Sequence, residues 1–414
     1  MGVRVKRYEL RAYDRMLAEF AVRTDEFGEV SVHIDEVDLS ARRLLPLPLA
    51  AQPTSGEALN EWLASRIIPK NRRFVDQILS QAGVSDRSTF GIIDVCLGLS
   101  INDAYWVVPQ RFSGTWTQYN LYENQLDEAL ALVAYTGCTT GQRRKAGLST
   151  EWTTDGQYPK AWRRIDGKLF LFKAGTEGFA NSGMEPYSEY FASQVASALG
   201  VSHVSYGLEK WKGRLASVCE LMHDKDTSFV PFWTATRCAS FPATLAAAQR
   251  VSSAAFERVR DMYLFDALVC NTDRHANNYG FLRSSETGAI EGFAPLFDHN
   301  LALFPGDMEG DFSSWPQQGA IRRPSGSNLS FDEVAALVVS ERHHEALRAM
   351  LDFEFCNHPL YPVPEQRLAA LNAYIAARVR HLIALSPVKT RDLSARLAGA
   401  VSPEERLPVE SVLL

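Results

Sequence analysis

A chain of 414 residues has room for two or three domains and a substantial core. Its 46% hydrophobic and 22% charged content is that of a soluble globular protein. A net charge of -6 argues against nucleic acid or an anionic membrane surface as the main partner, so neither direct nucleic-acid binding nor membrane association is expected. Residues 3–34 read as a short β-meander, since "KRYELRAY" and "MLAEFAV" are rich in β-formers and "RTDEFGEV" supplies a turn before a third strand. The Pro-rich stretch "LLPLPLAAQPTSGE" breaks the pattern, and helices follow at 57–66, 72–81 and 88–99, the last closed by "GLSINDAYWVVP". The basic run "GQRRKAG" reads as a solvated loop.

From Trp152 the pattern changes. "AWRRIDGKLFLFKAG" is two strands about an Asp166–Gly167 turn, and "MEPYSEYFASQVASALG" is a helix with Pro186 in its first turn and Gly200 at its stop. "RLASVCELM" is another strand, so the order is strand, strand, helix, strand. After a looser stretch, 253–270 makes an apolar helix, "YGFLRSSETGAIEGFAPLFD" a hairpin turning at 285–288, and 305–328 a Gly/Pro/Ser-rich loop. Helices then run to about Pro387, before a weakly specified tail. These breaks divide the chain into a small α+β domain at 1–110, segments at 111–223 and 224–390, and a tail at 391–414.

Six scattered cysteines without a C-x-x-C pair suit a reducing cytoplasm, and "MGVRVKRYEL" lacks the apolar stretch of a signal peptide. The cytoplasm is therefore the expected location.

The polar residues that carry chemistry cluster in "VCNTDRHANNYGFL" at 269–282. Asp273 and Asn278 are five apart in a loop after the apolar helix, and Asp298 follows a hairpin twenty residues later. Lys173 ends a strand, and Glu189 lies on the helix after it. Phosphoryl transfer from ATP needs this inventory: a cation on the phosphates, a carboxylate to hold it, a base for the acceptor hydroxyl, and two oxygen ligands for Mg²⁺. The same offset and order occur in protein kinases.

"NTDRHANNYGFL…FAPLFD" resembles the catalytic and metal segments of the HipA-type serine/threonine kinases and of HipA-like C-terminal domain proteins. "GLSINDAYWV", "TTDGQYPKAWR", "LFKAG" and "EPYSEYFASQVASALG" extend the resemblance over roughly 90–310, and "LFDHN" departs from D-F-G as that family does. The resemblance implies a bilobal, protein-kinase-like α+β fold, with 111–223 as the N-lobe and 224–390 as a helical C-lobe. It implies ATP and Mg²⁺ as cofactors, a protein substrate, and an antitoxin-like partner. Asp273 would be the base and Asn278 and Asp298 the metal ligands, with Asn277 the rival of Asn278 at the wrong offset. Lys173 would contact the phosphates and pair with Glu189, Glu185 being the alternative. His275 would support the loop. Thr153, Thr154 and Gly156 would form a substitute phosphate loop, in which Ser149, Thr150, Thr153 or Thr154 is a self-phosphorylation site. The backbones of Glu220, Leu221 and Met222 would form the adenine hinge. In the loop at 305–328, Trp315, Arg322 and Arg323 are candidates to meet the acceptor.

Three other readings compete. A kinase-shaped module that binds nucleotide without catalysis would respond to Mg-ATP but transfer no phosphate. A small-molecule kinase would use the same residues on another acceptor. A metal-dependent hydrolase on Asp273, His275 and Asp298 needs a His-rich centre, and the chain has no H-x-H or H-E-x-x-H motif.

Overall fold

In the computed structural model, which describes residues 4–139 and 147–398, the N-terminal β-formers make three antiparallel strands. These are β1 (Arg4–Ala12), β2 (Arg15–Thr24) and β3 (Val30–Val37). The basic run through residue 146 and the tail from 399 lie outside the described residues. A fourth strand, β4 (Tyr105–Pro109), pairs with β1 and gives the order β3-β2-β1-β4. It stands where only the close of a helix was expected. Trp106, Val107 and Val108 are buried in succession, so no apolar–polar alternation marks it.

Between β3 and β4 lie α1 (Leu47–Ala51), α2 (Gly56–Ala64), α3 (Val75–Gln81) and α4 (Thr89–Cys96). The last three match the expected helices, and the side chains of Ser55 and Ser88 cap α2 and α4. The Pro-rich break, by contrast, holds α1, with Pro48 in the first turn where its missing N–H would be unpaired anyway. Two short helices, α5 (Trp116–Tyr119) and α6 (Glu128–Thr136), lead to a second sheet.

That sheet opens with β5 (Lys160–Ile165) and β6 (Lys168–Ala174). Asp166 and Gly167 both take positive φ, 49° and 82°, as a two-residue hairpin turn requires. Helix α7 (Glu185–Leu199) ends at Gly200 with φ 71°. Two strands follow instead of one, β7 (Gly207–Trp211) and β8 (Arg214–Glu220), in the order β5-β6-β8-β7 with α7 packed on β7 and β8.

The looser stretch is also more ordered than expected, holding β9 (Thr227–Pro231), α8 (Phe232–Thr236) and α9 (Phe241–Val251). Helix α10 (Ser253–Val269) is buried at every residue from Val259 onward, so it forms the centre of the helical lobe. The hairpin β10 (Gly280–Ser284) and β11 (Ile290–Phe293) joins β9 in a small third sheet. The expected loop at 305–328 contains a 3₁₀ turn, Glu309–Ser314, and α11 (Trp315–Ile321). Trp315 is fully buried, stacked on Phe304 at 5.0 Å, so it belongs to the core rather than to an acceptor surface. Arg322 lies over the Phe304 ring at 5.0 Å. Helices α12 (Phe331–Val338), α13 (Glu341–Ala349), α14 (Glu365–Ala384) and α15 (Thr390–Ala398) complete the lobe. One apolar core runs from Leu10 and Phe20 of the first sheet through Phe191 of α7 to Phe256 and Leu264 of α10. No helix among the described residues is long and apolar enough to cross a membrane.

Candidate active site

Helix α10 stops because Cys270 turns left-handed, with φ 53°. Its last turn then anchors the polar loop. Asp266, buried inside α10, accepts bonds from the Asn271 amide at 3.1 Å and from Arg274 at 3.1 Å. Arg274 also donates to the carbonyls of Asn278 (3.1 Å) and Phe297, and one of its nitrogens lies 2.8 Å from His299 Nδ1. One buried guanidinium therefore ties the loop to the helix before it and to the segment carrying Asp298. Burial raises the Asp266 carboxyl, and the charge of Arg274 opposes that. Asn278 donates from Nδ2 to the Asp273 carbonyl at 3.2 Å, which leaves Oδ1 at the other end of the amide. Asp273 is half-buried and its pKa is raised, chiefly by burial. His275 is exposed; its Nδ1 lies 3.4 Å from the Asn277 N–H, and its carbonyl accepts the Asn278 N–H at 2.8 Å. Arg274, which the sequence did not mark, adds buried side-chain bonds that support the same loop.

Asp298 itself has a left-handed backbone, φ 57°, and its N–H donates to the Tyr206 hydroxyl at 3.0 Å. A parallel bridge between His203 and Leu296 fixes this strand end beside the second sheet. The Asp298 carboxylate then meets Lys173 of β6. Lys173 also pairs with Glu189 at 3.0 Å, and Ser217 of β8 donates to Glu189. Glu185, the rival partner, instead accepts from the Thr176 hydroxyl at 2.7 Å. Burial works against the charge of Lys173, but Asp298 and Glu189 outweigh it and raise its pKa. Burial works equally against Asp298, where Lys173 and Lys160 outweigh it and lower the pKa.

Thr153, Thr154 and Gly156 form the turn before β5. The Thr154 hydroxyl donates to the Thr150 carbonyl at 2.8 Å, while Ser149 and Thr150 are buried. Gly156 has φ 105°, and a Cβ there would collide with the ammonium of Lys160. Lys160 pairs directly across the hairpin with Lys173. Burial and the neighbouring charge of Lys173 press its pKa down to about 7. At the far end of β8 the Leu221 N–H donates to the Leu169 carbonyl at 2.8 Å. Antiparallel alternation then turns the N–H and C=O groups of Glu220 and Met222 away from β6. They face the edge that β7, whose pairing ends at Gly207–Val218, leaves open.

A cavity of about 710 Å³ is lined by Lys173, Glu189, Asp273, His275, Asn278 and Asp298. Thr153, Thr154, Gly156 and Glu220 through Met222 line it as well, whereas Glu185, Ser149, Thr150, Trp315, Arg322 and Arg323 are not among its lining residues. It adds Lys160, Tyr158, Asn71 and Asn102. Hairpin register would have found Lys160, since counting back from Asp166–Gly167 sets it opposite Lys173. No sequence signal marks the N-terminal Asn71 and Asn102. Among the described residues no group of three or more His, Cys, Asp or Glu could hold a metal ion. Two oxygen donors of the cavity, the Asp298 carboxylate and the Asn278 amide, are of the kind a hard cation takes when its other ligands come from a nucleotide.

A twisted sheet with a buried lysine–glutamate pair, an open strand edge, and a helical lobe bearing a polar loop make up a protein-kinase-like fold. A chain in the solved complex of Shewanella oneidensis MR-1 HipA, HipB and operator DNA shares it, with a TM-score of 0.53 and 16% identity over 91% of this chain and 96% of that one. The Helicobacter pylori proinflammatory kinase CtkA is 16% identical over 60% of this chain and 94% of that one, with a TM-score of 0.46. No curated protein matches the sequence significantly. The HipA-like C-terminal domain model matches residues 138–354, more than half of the chain, and the chain belongs to that family.

Proposed function

We propose that this protein is a Mg-ATP-dependent kinase of the HipA type, with a serine or threonine hydroxyl of a protein as acceptor. The observation that carries the reading is Lys173 bonded at once to Glu189 and Asp298, in the cavity that also holds Asp273 and Asn278. Lys173 and Lys160 would bind the phosphates, and the strand edge at Glu220 and Met222 the adenine. The acceptor oxygen attacks the γ-phosphorus, the bond to the β-phosphate oxygen breaks and ADP leaves, while Asp273 takes the hydroxyl proton. Mg²⁺ held by Asp298 and Asn278 would offset charge on the phosphate oxygens. Thr153 and Thr154, which line the cavity, are the loop hydroxyls best placed for self-phosphorylation. An antitoxin-like protein is the first partner to test, since HipB and operator DNA accompany HipA in the Shewanella complex. Six scattered cysteines without a C-x-x-C pair accord with a reducing cytoplasm.

The test is transfer of label from γ-labelled ATP to the protein and to lysate proteins. Asp298→Asn should abolish transfer, and Asp273→Asn should lower kcat by a factor of about 10²–10⁴. Equal transfer by wild type and both variants, or none by wild type, would overturn the assignment.

A further inference from the structure

Residues 1–110 supply none of the phosphoryl-transfer groups named above, yet one of their side chains reaches beneath the phosphate loop. Arg72, between α2 and α3, is completely buried, as is its partner Glu151. Its Nη2 donates to Glu151 Oε2 at 2.6 Å and to the Lys160 carbonyl at 2.9 Å. Glu151 in turn accepts the Trp162 N–H at 3.3 Å and lies 3.3 Å from the Thr150 hydroxyl. Both ends of the segment that carries Thr153, Thr154 and Gly156 are thus fastened to a single guanidinium. Among the described residues Nε and Nη1 of Arg72 have no hydrogen-bond partner. A buried ion pair is in general no more stabilising than apolar residues of similar volume, so folding stability alone does not call for one here. Asn71, the preceding residue, lines the cavity itself.

We infer that Arg72 and Glu151 form a positioning clamp through which the N-terminal region holds the phosphate loop and the Lys160 ammonium in place for the nucleotide. ATP affinity is then set by a residue far outside the kinase motifs. The inference rests on the kinase reading above. Its test uses the full chain with the double substitution Arg72→Met and Glu151→Gln, which leaves no lone buried charge. Binding of Mg-ATP is followed by calorimetry, KM for ATP and kcat by label transfer, and folding by urea titration. The clamp predicts a urea midpoint close to that of wild type. It also predicts Kd and KM for ATP raised about tenfold, with kcat at saturating ATP changed less than about twofold. A double variant that folds and binds Mg-ATP as tightly as wild type overturns the clamp. Failure of wild type to bind Mg-ATP at all overturns the kinase reading instead.

Discussion

Lys160 has its charge state poised near neutrality, and that has a consequence for pH. With a pKa of about 7 in the free protein, its ammonium is charged below that value and neutral above it. Nucleotide phosphates favour the charged form and raise the pKa on binding. ATP affinity should therefore be full below pH 7 and fall as pH rises past it, with a proton taken up on binding. Calorimetry in buffers of different ionisation enthalpy measures this uptake, and Lys160→Met should remove it and weaken binding. Identical pH profiles for the two proteins would contradict the role. At this scale the sequence was legible in placement: the offsets single out Asp273, Asn278 and Asp298, and all three line one cavity. Arg274 does not stand out, because an arginine beside a candidate catalytic aspartate reads as a surface charge until the burial of Asp266 is known.

Among the elements, the loop after α10 owes its shape to the Asp266–Arg274 pair, in which both side chains are wholly buried. Arg274→Met would leave the buried Asp266 with the Asn271 amide and no cation, at a cost of about 3–5 kcal/mol. Urea denaturation should show that loss, and adding Asp266→Leu should restore most of it without restoring label transfer. Elements with a local signature were legible: the β5–β6 hairpin from its Asp-Gly turn, α7 from its period and Gly200, α10 from its unbroken apolar run. The short strands β4, β7 and β9 were not: β4 and β9 pair with partners far away in the chain, and β7 has only five residues before the turn into β8. Helix α11 hid among Gly, Pro and Ser, and only the burial of Trp315 among Phe304, Phe312 and Tyr374 makes it an ordered element.

For the molecule as a whole, the bond between Lys173 and Asp298 spans the two lobes, joining β6 to the chain beyond β11. Its consequence is an order of arrival. While the ammonium neutralises Asp298, a bare divalent cation must compete with it and finds no replacement partner to offer Lys173. On the proposed reading, a cation entering with ATP would bring that partner along, since the phosphates would take the lysine and free the carboxylate for the metal. Mg²⁺ alone should therefore leave Tm unchanged. Mg-ATP at a hundred times its Kd should add about 2.7 kcal/mol of stability. Lys173→Met should reverse the dependence on company: with Glu189 and Asp298 no longer held by a lysine, the cation should raise Tm without nucleotide.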